Sequence, residues 1–220
     1  MMKLKLQQFA APGSTNPLRE ETFENLQLNA GIFIKNLKYT GTGAPTDATT
    51  LKTLITNIIN GTETGKGEIL GATRGGGTFN VTREIRTPEI DGLRYKFKKG
   101  DFIDSVDAYL TTTLIEMTPE TLCAALGIEV PSNVSNVTTL KLPTALTDDS
   151  YLDNLCWIGD ISDGRLVLIC LENAINTADL TLTFADKNEG ALGVEFHACQ
   201  SEVNDYDEAP FEIVYFKPAA

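Results

Sequence analysis

The sequence predicts a mainly β domain with flanking α-helices, and three observations carry that expectation. The stretch IDSVDAYLTTTLIEM (residues 103–117) alternates apolar and polar side chains over the length of a long strand. Shorter alternating runs recur along the chain, separated by segments rich in glycine, proline, asparagine or aspartate. Only two segments read as helices, one from its helical spacing of apolar residues and one from its caps. With 220 residues, 42% hydrophobic and 22% charged, the chain fits one domain over 1–220 with a sizeable core.

Residues 1–25 read as an N-terminal arm or extension, basic at its start but with no continuous apolar run, so no export signal is expected. LQLNAGIFIKNLKY (26–39) reads as a strand that GTGAPTD breaks. Residues 40–77 form an excursion with a helix over 49–60, where Leu51, Leu54, Ile55, Ile58 and Ile59 make one apolar stripe. Asp47 or Thr49 caps its start and Gly61 stops it. Its β-branched residues lower its propensity, so burial of the stripe must hold it.

The excursion ends in the glycine-rich stretch Gly75, Gly76, Gly77. A phosphate-cradling glycine loop opens a helix, whereas these glycines lead into TFNVTREIR, where Phe79, Val81 and Ile85 share one parity. GTETGKG (61–67) lacks the four-residue gap and the Ser/Thr after its Lys that a phosphate loop needs. A turn or a close backbone approach is the role left to the glycines.

PEIDG then turns, and LRYKF (93–97) alternates again. Within 103–117, Val106, Ala108, Leu110 and Leu114 fall on one face and Asp107, Thr111 and Thr113 on the other, as in a sheet packed on one side and wet on the other. A short helix follows, with Thr118 as cap, Pro119 and Glu120 in the first turn and Gly127 as stop. Residues 130–148 read as β-rich. Asp163-Gly164 marks a hairpin between NLCWIGDIS and RLVLICLENA; LTLTF (180–184), LGVEFHACQ (192–200) and FEIVYF complete the strands.

Catalytic chemistry finds little purchase. The one histidine, His197, lies on the polar parity of its strand with Glu195 and reads as an ordinary polar residue. No nucleophile elbow, zinc-protease helix or deaminase signature occurs. Cys123, Cys156, Cys170 and Cys199, separated by 33, 14 and 29 residues, match no metal or redox spacing. Their mostly apolar settings suit structural thiols of a reducing compartment, while the even count leaves pairing open. No catalytic residue, metal or cofactor is expected, and the chain reads as a non-enzyme.

Charge is unevenly distributed. Residues 1–147 carry 15 acidic and 15 basic side chains; residues 148–220 carry 15 acidic and 3 basic, so the formal net charge of −12 belongs to the last third. That sign disfavours specific nucleic-acid binding.

Four stretches in order, NAGIFIKN (29–36), LGATRGGGTFNVTREIRTPEIDGLRYKFKKGDFIDSVDAYLTTTLIEMTPETLCAALG (70–127), YLDNLCWIGDISDG (151–164) and LENAINTADLTLTFADKNEGALGVEFHACQ (171–200), resemble the major tail tube proteins of long-tailed, non-contractile bacteriophages and related prophages. The resemblance covers roughly residues 26–216. It implies a tail-tube-type β-sandwich or barrel subunit with flanking helices. Six subunits would close into a ring with a continuous inner β-barrel, and stacked rings would form the conduit for genome ejection. It implies further that Asp107, Thr111 and Thr113 face the lumen, and that Arg74, Gly75, Gly76, Gly77, Arg83 and Arg86 belong to a loop and strand joining subunits or rings. The implied partners are copies of the same chain, a tape measure, a tail terminator and a distal tail protein, with DNA passing unbound. The implied location is the virion tail, assembled in the host bacterial cytoplasm. Another virion component, such as a terminator or head–tail connector, and a non-catalytic β-rich binding module are the alternatives.

Overall fold

The computed structural model describes residues 26–27, 29–92, 94–131, 139–182, 190–201 and 208–218. Among these, eight strands and two α-helices follow one another as β1 (Ile32–Lys35), α1 (Ala48–Ile59), β2 (Glu68–Ile69), β3 (Thr73–Arg86), β4 (Phe102–Leu114), α2 (Pro119–Leu126), β5 (Leu152–Asp160), β6 (Leu166–Asn176), β7 (Leu192–His197) and β8 (Phe211–Phe216). A 3-10 turn, Asp148–Ser150, precedes β5.

Both helices start where the sequence places a cap. Asp47 accepts from the Thr50 amide at 2.8 Å while the Thr50 hydroxyl accepts from the Asp47 amide at 3.1 Å, so two orphan donors are satisfied reciprocally. Thr118 and Thr121 repeat the arrangement at α2, and Gly127, at φ 61, ends it in the left-handed conformation. The stripe of α1 is narrower than expected: Leu51, Leu54 and Ile58 are buried, Ile55 is half-buried and Ile59 is exposed.

The strands form one eight-stranded antiparallel sheet in the order β2-β1-β5-β6-β7-β4-β3, with β8 paired to β6. This corrects the sandwich or barrel expectation. The fold is mixed, α-helices upon a single sheet, and the sheet is open: its ends, β2 and β3, do not pair with one another. The reason lies in β6. Along one edge it pairs β5 from Leu166 to Ala174; along the other it pairs β8 over residues 166–171 and then β7 at Ile175 and Asn176. One long strand thereby belongs to both halves, which leaves neither half as a separate layer. Asn173, at φ 45, lies where the second edge changes partner, and its amide donates to the Cys199 carbonyl at 3.0 Å.

Two apolar clusters occupy the two sides. One joins Phe33, Leu155 and Leu171 with Leu110, Leu114, Val194 and Phe196, and includes Ala124 and Ala125 of α2. The other seats α1 through Leu51, Leu54 and Ile58 on Ile34, Cys156, Ile158, Leu168, Cys170 and Phe216. Other expected strands shorten or vanish. Among the described residues of 26–39 only Ile32–Lys35 is a strand, and residues 94–97, 139–147 and 180–182 carry none. The expected arm 1–25 and residues 132–138 and 183–189 lie outside the described residues.

Candidate functional site

Strand β4 sorts its side chains as its alternation requires. Ala108, Leu110, Thr112 and Leu114 are buried; Asp107, Tyr109, Thr111 and Thr113 lie on the opposite, partly exposed face. On that face the register sets Thr111 between Thr78 and Glu195, Tyr109 between Asn80 and His197, and Thr113 beside Gly193. The Thr78 and Thr111 hydroxyls are hydrogen-bonded to each other.

His197 is the centre of this face. Its Nδ1 lies 2.8 Å from Asp107 Oδ1, its Nε2 lies 3.0 Å from Glu195 Oε1, and its ring stacks on Tyr109 with centroids 4.9 Å apart. Ionised carboxylates only accept, so a ring bonded to both carries a proton on each nitrogen. Burial pulls the imidazolium toward neutrality, but the hydrogen bonds and charges of Glu195 and Asp107 outweigh it and hold the His197 pKa above its ordinary value. Both nitrogens are thereby engaged by carboxylates of neighbouring strand positions.

The glycine run resolves into two different structures. Arg74 pairs with Thr113 and Gly77 with Thr112, so Gly75 and Gly76 are extra residues bulged out of β3. Both have positive φ, 77° and 75°, and the buried Thr112 hydroxyl donates to the Gly76 carbonyl at 2.7 Å. Gly77 is back in the ladder, and a Cβ on it would stand 2.6 Å from both the Phe33 ring and the Thr111 carbonyl. Beside the bulge an open groove of about 590 Å³ runs past Arg74, Thr78, Thr111, Thr113, Asp179 and Glu195.

Farther along, the β3–β4 hairpin leaves the body of the molecule. Residues 81–86 and 102–106 are exposed throughout. Val81, Arg83 and Val106 continue the side that carries Phe79 and Leu110, and Ile85 pairs with Ile103. The Arg86 guanidinium lies 5.7 Å over the Phe102 ring, and its Nε donates to Asp104 at 3.0 Å. Beyond the strands the sequence RYKFKK (94–99) ends the hairpin in alternating basic and aromatic residues, with Tyr95 84% and Phe97 67% exposed.

The structure brings Thr111, Thr113, Arg74, Gly75, Gly76 and Gly77 to one groove, puts Asp107 farther along the same face, and sends Arg83 and Arg86 out along the hairpin. Sequence reasoning missed the Asp107–His197–Glu195 bridge; the shared parity of Glu195 and His197 was its one local signal. Among the described residues no cluster of three or more His, Cys, Asp or Glu side chains is arranged to hold a metal. The sequence matches no protein-family model and no curated protein.

Proposed function

We propose that the chain is a non-catalytic structural subunit that assembles with copies of itself, in the manner of phage tail tube proteins, into stacked six-fold rings around a channel for DNA. The observation that carries the reading is the β3–β4 hairpin. An isolated soluble chain rarely projects a hairpin whose Val81, Ile85, Phe102, Ile103 and Val106 all meet solvent. Contact with neighbouring copies would cover it, and closed symmetry supplies the same contact to every copy. The basic tip, residues 94–99, suits the acidic last third of another copy. Asp107, Thr111 and Thr113 then face the channel, where an acidic lining lets DNA pass without adhering. A tape measure, a tail terminator and a distal tail protein complete the tail by the same resemblance, and the virion is its place.

The hairpin itself is the test. The double substitution Ile85→Asp and Ile103→Asp places charge on side chains that touch little of the subunit's own core. Mass photometry of wild type should show particles growing with concentration, and the variant should stay monomeric with an unchanged thermal melt. Assembly of the variant equal to that of wild type would remove the hairpin from the interface and with it the main support for this reading.

A further inference from the structure

We propose that Cys156 and Cys170 constitute a dithiol–disulfide site, a latent cross-strand link between β5 and β6. The two residues are register partners, one on each strand, and both are fully buried free thiols. The phase of the ladder decides whether they can join. Asn36 N–H donates to the Asn154 carbonyl at 2.9 Å, so the even-numbered residues of β5 turn their backbone bonds toward β1. Glu172 N–H donates to the Pro210 carbonyl at 2.9 Å, so the even-numbered residues of β6 turn theirs toward β8. Cys156 and Cys170 therefore face each other as a non-hydrogen-bonded pair.

At such pairs the Cα atoms stand about 4.5 Å apart and the side chains are closest. A disulfide accepts roughly 4.4–6.8 Å between Cα atoms, so this position admits one without moving the backbone. The Cys156 thiol donates to Asn154 Oδ1 at 3.5 Å and the Cys170 thiol to the Leu171 carbonyl at 3.9 Å, and burial holds the Cys156 thiol well above its ordinary pKa. That protonation, and the cover that α1 provides, keep the pair reduced while the domain is closed.

Closure needs a small disulfide such as oxidised glutathione and an opened α1–β1 side. The Cys156 thiolate attacks one sulfur of oxidised glutathione, breaking its S–S bond and releasing one glutathione thiolate. The Cys170 thiolate then attacks the Cys156 sulfur of the mixed disulfide and releases the second. Two electrons pass from the cysteine pair to the oxidant, and the two thiol protons leave with the two glutathiones.

The test refolds the full chain from urea with reduced and oxidised glutathione, or with reductant alone, and alkylates it before peptide mass mapping. The expected result is loss of alkylation at Cys156 and Cys170 together, a linked peptide carrying both, and retained alkylation at Cys123 and Cys199. The linked protein should keep the circular dichroism of the reduced form, unfold at higher urea, and revert with reductant. A Cys170→Ala variant should give no linked peptide and carry Cys156 either alkylated or as its glutathione mixed disulfide. Quantitative alkylation of both cysteines after oxidative refolding, or a link found only in protein with altered circular dichroism, would overturn the proposal. If the chain does not refold from urea, the same mapping on protein expressed in an oxidising bacterial compartment separates the same two outcomes.

Discussion

At Gly77 the missing side chain is a packing requirement, whereas at Gly75 it is a backbone requirement. A Cβ on Gly77 would overlap the Phe33 ring and the Thr111 carbonyl, both fixed within the sheet. A Cβ on Gly75 would meet nothing, and only its φ of 77° matters. Asparagine tolerates that conformation better than other side chains. Gly75→Asn is therefore expected to leave the urea midpoint almost unchanged, while Gly77→Asn costs about 1–3 kcal/mol through overpacking. Similar losses for both variants would mean that the two glycines play one role.

His197 gives the residue scale a pH dependence. Its pKa in the folded chain is raised above the ordinary 6.5, so the folded state holds the proton more tightly than the unfolded one. The bridge to Asp107 and Glu195 thus contributes fully below pH of about 6.5, provided the carboxylates stay ionised, and is lost as pH rises through the folded value. Urea titrations of wild type and His197→Gln should show a stability gap at pH of about 6 that narrows on going to alkaline pH. A gap that widens with pH would reverse the assignment of the imidazolium.

At the scale of elements, what could be read from sequence was whatever is local. The caps Asp47 and Thr118, the Gly127 stop, the Leu51, Leu54 and Ile58 part of the α1 stripe and the parity of β4 from Asp107 to Leu114 all depend on neighbours within a few residues, and the structure contains them. The sheet order was not legible, because β7 lies between β6 and β4 through pairings made by residues tens of positions apart. Nor was the partner of His197, since Asp107 stands 90 residues earlier in the chain. The glycine run showed that side chains were excluded there but not that two residues bulge and one packs. Helix α1 has no acidic residue in its first turn and no basic residue in its last, so it is held by its cap and its buried face. Leu51, fully buried between α1 and the sheet, should cost about 2–5 kcal/mol on change to alanine. Measured by urea unfolding, a loss below about 1 kcal/mol would mean that α1 is dispensable to the core.

For the molecule as a whole, an open sheet and an exposed hairpin leave surfaces that a lone subunit does not cover. The strands with a free edge differ: β2 has two residues and β8 six, whereas β3 has fourteen and runs out into the hairpin. Short edges resist unwanted pairing and long ones invite it, so β3 and its hairpin are where another copy is expected to bind. The net negative charge sits in the last third, and association through the basic tip should weaken as salt screens that attraction. Closure of identical subunits into rings of six is tested most directly by negative-stain electron microscopy of purified, concentrated protein with two-dimensional class averaging. End-on averages with six-fold symmetry around an open channel are expected, together with side views of stacked rings. Monodisperse monomers at every concentration, or closed particles of another symmetry, would be incompatible with such rings.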